Sequence, residues 1–157
     1  MKKIIGAVTP FFMAAAIFFI TFSSVSVLTA TGNSNYPTIK DGSFEIAEKF
    51  GTTFVKRGKF VIFDYNDSIY SKRVIGLPGE TIEIVNSVIY INGSPLNEDY
   101  IFLSSDNMIP SQKNMAAITL KDNEYFLLGD NRCTSADSRT FGPVDGNNIL
   151  GTVLNFH

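Results

Sequence analysis

A long stretch without charge near the N-terminus constrains this chain more than any other feature. Lys2 and Lys3 come first, and no charged residue follows until Lys40. The segment 4–30 is rich in Phe, Ile, Ala and Val, and a helix of about 20 apolar residues crosses a bilayer. The sequence therefore predicts a cytoplasmic N-terminus at 1–3, a single transmembrane helix at 4–30 and an extracytoplasmic domain at 31–157. The two lysines favour this orientation, because positive residues stay on the cytoplasmic side.

A removable secretory signal is the alternative interpretation of the same segment. It has the positive start of such a signal and a weak small-residue site near Ala30. The apolar part of a cleaved signal usually covers only about 7–15 residues, however. The length of the run therefore favours an anchor that is retained.

The part after residue 31 is predicted to be mainly β, as a small barrel or sandwich. Short alternating runs lie close together and are separated by turn residues, and no window there has a sustained helical period. Asn86-Ser87 predicts one hairpin turn, Asn92-Gly93 ends the strand after it, and Lys121–Asn123 predicts a second hairpin. The predicted strands cover residues 60–63, 69–75, 81–85, 88–91, 118–120, 125–128 and 149–156.

The amino-acid composition argues against several classes of function. All 15 acidic residues follow the apolar run, and no cluster of Lys and Arg accompanies them, so we expect no nucleic-acid partner. The one cysteine, Cys133, excludes an intramolecular disulfide, and with a single histidine it cannot build an ordinary zinc site. We expect neither a metal nor another cofactor.

The same scarcity of histidine limits the catalytic possibilities. His157 is the last residue, and chain ends are commonly frayed, so neither a Ser-His-Asp triad nor a Cys-His pair is plausible. A serine or threonine activated by a lysine remains, which is a recognised variant of the triad.

Three segments are candidates for such a site, and each has a plainer interpretation. Residues 32–38 hold Ser34 just after the apolar run, next to the rigid Pro37, but a polar linker has the same composition. Lys72 and Arg73 lie within an apolar strand, and alternation puts them on opposite faces. One of them is then partly buried, unless the strand is an exposed edge. Residues 129–143 form either a catalytic loop, in which Asp137 and Arg139 pair, or an ordinary surface loop.

Together these segments resemble the type I signal peptidases, also called leader peptidases. That family has a serine box S-M-x-P-T after a transmembrane helix, and here residues 34–38 have Asn35 in place of Met. Its lysine box is K-R-V-I-G-L-P-G-D. Residues 72–79 match the first eight positions of this box, and Glu80 stands in place of the final Asp. Its third box G-D-N-R-x-x-S-x-D-S-R-x-F/W-G matches 129–142 throughout, and a weaker box lies at 58–63.

The resemblance implies a membrane-anchored serine endopeptidase that cleaves signal peptides from secretory precursors at the bacterial cell membrane. It implies Ser34 as nucleophile, Lys72 as general base and Ser135 as hydrogen-bond partner of the lysine amine. Asp137 and Arg139 would support that loop, and Asn35 and Tyr36 would lie at the substrate pocket. The short domain resembles the minimal enzymes of Gram-positive bacteria.

The resemblance also implies an oxyanion hole built from backbone N–H groups, including that of Ser34, because Gly32 replaces a serine found in some members. Asn35 is the main departure from the family and leaves a narrower alternative open, a processing peptidase dedicated to conjugal transfer or pili. A membrane-anchored binding module without activity is a further alternative, although the intact Ser34, Lys72 and Ser135 count against it.

Overall fold

The described part of the protein is built of antiparallel β-sheets. A computed structural model describes residues 25–49, 55–101 and 114–156. The strands are β1 (Val25–Thr29), β2 (Phe44–Glu48), β3 (Phe60–Tyr65), β4 (Ser68–Gly76), β5 (Thr81–Val85), β6 (Val88–Ile91), β7 (Ser94–Pro95), β8 (Met115–Thr119), β9 (Glu124–Leu128), β10 (Val144–Asp145) and β11 (Ile149–Phe156). One helical turn, α1 (Ser138–Phe141), and a 3₁₀ turn (Gly146–Asn148) lie between β9 and β11. The expectation of a mainly β domain is confirmed.

Two sheets form the fold. A seven-stranded sheet has the order β1-β2-β11-β3-β4-β9-β10, and a four-stranded sheet has the order β7-β6-β5-β8. Side chains on β4, β5 and β9, among them Ile75, Ile82 and Phe126, are fully buried in one apolar cluster. This cluster joins the two sheets, because β5 belongs to the smaller sheet and β4 and β9 to the larger.

Two-residue turns set the register of three hairpins. Asn66-Asp67 joins β3 to β4, Asn86-Ser87 joins β5 to β6, and Asn92-Gly93 joins β6 to β7. All six residues have positive φ, as the tightest hairpin turns require of both central residues. The predictions at Asn86-Ser87 and at Asn92-Gly93 are confirmed.

The second predicted hairpin, at Lys121–Asn123, is wrong. Strands β8 and β9 do flank it, but β8 pairs with β5, and β9 pairs with β4 and β10. The reason is burial. Four of the five β9 residues are buried, so β9 needs cover on both faces, whereas β8 is mostly exposed. The connection therefore passes from one sheet to the other.

The end of the predicted membrane helix also needs correction. Val25–Thr29, which falls inside the expected anchor at 4–30, is strand β1 and pairs antiparallel with β2 from Val25↔Glu48 to Thr29↔Phe44. The β-branched residues of this segment suit a pleated strand. Residues 1–24, which hold the rest of the predicted anchor, lie outside the described residues. Within the described ranges, no helix has the length and apolar character that a membrane crossing needs.

Candidate active site

Ser34 and Lys72 lie in contact although 38 positions separate them in the sequence. Lys72 is in β4, and its Nζ donates a hydrogen bond to Ser34 Oγ at 2.8 Å and another to the Ser71 carbonyl at 2.9 Å. Ser34 is half-buried in the loop between β1 and β2. The structure thus brings together the two residues that the sequence predicted as nucleophile and base.

Lys72 is almost completely removed from solvent. The residue is 3% exposed, because β4 lies inside the seven-stranded sheet between β3 and β9. Burial lowers the pKa of the amine from 10.5 to about 8, while the negative charges of Asp137 and Glu45 oppose this shift. A lysine with such a pKa is neutral in a large fraction of molecules near pH 8, and a neutral amine can accept a proton.

Arg73, on the opposite face of β4, is buried as well. The sequence led us to expect one buried cation of the two, and the structure has both, since Arg73 is only 9% exposed. Its Nε and Nη2 donate to the two oxygens of Asp130 at 2.7 and 2.5 Å, and its guanidinium lies 4.3 Å from the Phe60 ring and 3.9 Å from the Tyr100 ring. A paired carboxylate and two aromatic faces compensate this charge.

Two further ion pairs hold the loop that follows β9. Arg132 pairs with Glu98, and both side chains are almost fully buried. The predicted pair of Asp137 and Arg139 is confirmed, with Arg139 Nε and Nη2 donating to the carboxylate at 2.8 and 2.7 Å. Asp137 also accepts a hydrogen bond from the N–H of Gly129 at 3.1 Å. The loop therefore has a fixed shape next to Lys72.

The tightest backbone contact of the site is at Gly129. A Cβ at this position would lie 2.4 Å from the Ser34 carbonyl oxygen and 2.3 Å from Ser135 Oγ, much closer than van der Waals contact. The Ser34 carbonyl also accepts a hydrogen bond from the N–H of Asn131 at 3.0 Å. Glycine at 129 thus lets the loop after β9 approach the backbone of Ser34.

Ser135 does not make the bond that the resemblance implied. Its Oγ is buried and has no hydrogen-bond partner among the described residues, while the Lys72 amine donates to Ser34 and Ser71. The expectation that Ser135 bonds the amine is therefore wrong for this structure, in which the amine donates to the Ser34 hydroxyl and the Ser71 carbonyl instead. Ser135 nonetheless packs against Gly129, close to the Ser34 backbone.

A cavity of about 810 Å³ opens beside Ser34 and Lys72. Asn35 lines it, as expected, but the half-buried Tyr36 does not, so only one of the two predicted pocket residues reaches the cavity. Sequence reasoning missed Glu45 and Ser71, which both line it. The other lining residues belong mainly to the end of β1, the loop after it and β4: Leu28, Thr29, Ala30, Thr31, Gly32, Asn33, Ile39, Ile62, Ile69, Tyr70, Asn131, Thr134 and Ala136.

The described ranges offer no group of three His, Cys, Asp or Glu side chains placed to hold a metal ion. Cys133 is exposed at the surface. The chemistry that the arrangement supports directly is attack by a hydroxyl whose proton passes to a buried amine.

Comparison with known proteins gives a consistent result. The model of the family described as signal peptidase, peptidase S26, matches residues 2–156. The chain is 33% identical to the probable signal peptidase I-1 of a Synechocystis strain, over 78% of this chain and 65% of that protein. It is also 33% identical to signal peptidase IB of Staphylococcus aureus strain Mu50, over 82% of this chain and 75% of the relative.

A solved structure has the same fold. The crystal structure of a signal peptidase I from Enterococcus faecalis matches with a TM-score of 0.54 and 35% sequence identity. The match covers 64% of this chain and 97% of that one.

Proposed function

Since this chain belongs to the signal peptidase family, peptidase S26, we propose that it is an endopeptidase that removes N-terminal signal peptides from exported precursors, with Ser34 as nucleophile and Lys72 as general base. The observation that carries the proposal is the 2.8 Å hydrogen bond between Lys72 Nζ and Ser34 Oγ in a site where the lysine is 3% exposed. A nucleophile within hydrogen-bond reach of a base whose pKa is lowered is the arrangement that covalent catalysis requires.

The reaction follows from this geometry. Ser34 Oγ attacks the scissile carbonyl, and neutral Lys72 takes the hydroxyl proton. The protonated amine then gives its proton to the leaving amino group, so that the mature protein departs and an acyl-enzyme remains. Lys72 next takes a proton from a water molecule, which attacks the ester and releases the signal peptide.

The developing oxyanion needs backbone donors. The N–H of Gly32 donates to Asp41 Oδ1 at 2.8 Å, so it is already engaged. We assign the N–H of Ser34 to the oxyanion hole. The loop geometry supports this assignment, because the Ser34 carbonyl is held by the N–H of Asn131, which orients the peptide units around the serine.

The location of the site relative to the N-terminus supports a membrane setting. We propose that the apolar segment before β1 spans the bilayer, with residues 1–3 in the cytoplasm and the catalytic domain outside. Ser34 lies five residues after the end of β1, close in sequence to the proposed anchor. A precursor whose apolar signal segment lies in the same bilayer would therefore present its cleavage site near Ser34.

The substrate would bind in an extended conformation. Strand β1 is the edge of the seven-stranded sheet, and its last residues line the cavity. An extended peptide beside this edge can form main-chain hydrogen bonds while alternate side chains enter the cavity.

Cleavage of a purified secretory precursor tests the proposal. The full-length protein in detergent should cleave it, whereas Ser34→Ala and Lys72→Met should be inactive and remain folded. Ser68→Ala and Lys59→Met are matched controls, because both residues are exposed and neither lines the cavity. Substantial activity in either dyad variant would end the assignment.

A dedicated processing peptidase is the second candidate. Asn35 lies in the cavity wall and gives it a polar group where the resembling family has Met. A panel of unrelated precursors separates the two candidates, since a general enzyme cleaves many of them and a dedicated enzyme cleaves few.

A further inference from the structure

Glu45 is a buried carboxylate in the wall of the cavity that holds the proposed dyad. It lies on β2 and is 3% exposed. Its Oε1 accepts a hydrogen bond from Ser71 Oγ at 2.5 Å, and no other hydrogen bond reaches its carboxylate from the described residues. An acid in this position needs an explanation, because carboxylates are rarely buried unless they are paired.

Asn35 and Ser71 extend this polar surface toward the dyad. Asn35 Nδ2 donates to the Ser71 carbonyl at 2.8 Å, so the amide oxygen must point away from that carbonyl. Asn35 is 6% exposed, and its Oδ1 has no hydrogen-bond partner in the described part of the chain. We call Asn35, Glu45 and Ser71 the polar wall. It presents two hydrogen-bond acceptors whose capacity is not used, Asn35 Oδ1 and the second Glu45 oxygen.

The polar wall is adjacent to the reacting atoms. Asn35 follows Ser34 directly, and Ser71 precedes Lys72 directly. Consecutive Cα atoms are about 3.8 Å apart, so a substrate side chain that contacts this wall belongs to a residue close to the scissile bond. Much of the remaining lining is apolar, including Leu28, Ile39 and Ile62. The wall therefore places buried hydrogen-bonding groups beside apolar lining residues.

The charges around Glu45 indicate which kind of substrate group the polar wall binds. Burial raises the pKa of Glu45, and the hydrogen bond from Ser71 and the positive charge of Lys72 oppose this shift. Catalysis requires a neutral Lys72, and in that state the buried Glu45 has lost its compensating charge. A donor from the substrate would restore the compensation at the step where it is needed.

We propose that the polar wall recognises a substrate side chain that donates a hydrogen bond, with Glu45 as the main specificity-determining residue. The residue recognised is one of the few that precede the scissile bond. This inference rests on the proposed function, and it concerns the choice of substrate rather than the chemistry. Neutral donors, such as a hydroxyl, and cationic donors, such as an ammonium, share the required chemistry.

Substrate ranking tests the proposal. A precursor that the full-length enzyme cleaves is varied at each of the four residues before the scissile bond, one at a time, to Ala, Val, Ser and Lys. At one of these positions the wild type should cleave the Ser or Lys substrate with a kcat/KM about tenfold or more above that for Ala and Val. Preference for Ser alone identifies a neutral donor, and preference for Lys identifies a cationic one.

Variants of Glu45 and a neighbour complete the test. Glu45→Ile should reverse the ranking in favour of Ala and Val, and Glu45→Gln, which keeps an acceptor for Ser71, should weaken the preference for Lys more than that for Ser. Glu48→Gln is the matched control, since Glu48 lies on the opposite face of β2 and should keep the wild-type ranking. A purely structural role of Glu45 would lower kcat/KM for all substrates alike.

Failure of the inference is distinguishable from failure of the proposed function. A wild type that cleaves its precursors but ranks Ala and Val first at all four positions overturns the inference alone. The same holds if Glu45→Gln and Glu45→Ile leave the ranking unchanged. A wild type that is no more active than Ser34→Ala on any precursor overturns the proposed function and this inference with it.

Discussion

Lys72 and Arg73 are consecutive cations on opposite faces of β4, and both are buried, but among the described residues only Arg73 has an anion in direct contact. The guanidinium of Arg73 forms a bidentate ion pair with Asp130, whereas the amine of Lys72 contacts the uncharged oxygens of Ser34 and Ser71. The same strand therefore carries one cation paired by direct contact and one without such a pair among the described residues. Burial without a contacting anion lowers the pKa of Lys72 and suits this residue to its proposed role as base.

The first prediction concerns pH. Since Lys72 must be neutral to accept a proton, kcat/KM should fall on the acid side with a limb near pH 8, where burial places the pKa of the amine. Initial cleavage rates measured between pH 5 and pH 10 test this. A profile that stays flat down to pH 5, in protein shown by circular dichroism to be folded there, would exclude Lys72 as the proton acceptor.

The second prediction concerns the stability cost of the buried amine. The pKa of Lys72 is lowered from 10.5 to about 8 in the folded state, so the unfolded chain binds the proton more tightly. At about 1.4 kcal/mol per pH unit, this destabilises the fold by up to about 3 kcal/mol below pH 8, and the penalty disappears as pH rises to 10.5.

Lys72→Met should therefore be inactive but more stable than the wild type at pH 7. Denaturant unfolding at pH 7 and pH 10 measures the effect, and the difference between the two proteins should shrink at the higher pH. Lys59→Met, at an exposed lysine, should show no such gain. A Lys72→Met protein less stable than the wild type at pH 7 would contradict the assigned penalty.

The third prediction concerns Gly129. Gly129→Ala should displace the Ser34 carbonyl or Ser135, because the new methyl group would lie 2.4 and 2.3 Å from their oxygens. We expect a loss of about 1–3 kcal/mol in the free energy of unfolding and a fall in kcat of at least about tenfold. Gly93→Ala, in the turn after β6, should cost about 1 kcal/mol because of its positive φ and leave kcat unchanged. Equal kcat values in the two variants would refute the role of this contact.

The fourth prediction concerns Asn35. Asn35→Met should retain or raise activity on ordinary signal peptides, because it removes a buried amide oxygen that has no partner among the described residues and supplies a flexible apolar side chain. The measurement is kcat/KM for a standard precursor and for the native substrate. Loss of cleavage of the standard precursor would contradict the prediction, whereas loss of cleavage of the native substrate alone would show that Asn35 contributes to recognition by the polar wall and would favour the dedicated peptidase.

The fifth prediction concerns Cys133, which is exposed and has no proposed role. Alkylation of its thiol should leave the cleavage rate within about twofold of that of the untreated enzyme. Cys133→Ser should behave in the same way. Inhibition by the reagent, together with inactivity of Cys133→Ser, would show that the thiol takes part in turnover.

The sequence predicted the strands of the domain better than their partners. Alternation and turn residues located β3 to β6 and β11, because these signals are local. The pairing of β8 with β5 depends on how the two sheets pack against each other, and a short stretch of sequence does not contain that information. The uncharged run ending at Ala30 concealed β1, since an apolar strand at the end of an apolar segment has the composition of the segment itself.

The site residues that belong to long sequence motifs could be predicted from the sequence. Ser34, Lys72, Asp137 and Arg139 lie in such boxes, and the structure brings their segments together. Glu45 was not predictable, because an acidic side chain next to apolar residues in a strand such as Phe44–Glu48 ordinarily lies on the exposed face. The structure instead exposes Phe44 and buries Glu45, an inversion that only the position of the cavity explains.

The three buried ion pairs around the loop after β9 limit how this enzyme can evolve. Arg73–Asp130, Arg132–Glu98 and Asp137–Arg139 each have at least one partner without exposed side-chain surface. Loss of one partner of a buried pair costs about 3–5 kcal/mol, a large share of the 5–15 kcal/mol that holds a typical domain together. Single substitutions at these positions would thus cost a large part of the stability of the fold. We expect divergence along this loop to proceed mainly by paired replacements, because replacing both partners leaves no buried charge unpaired.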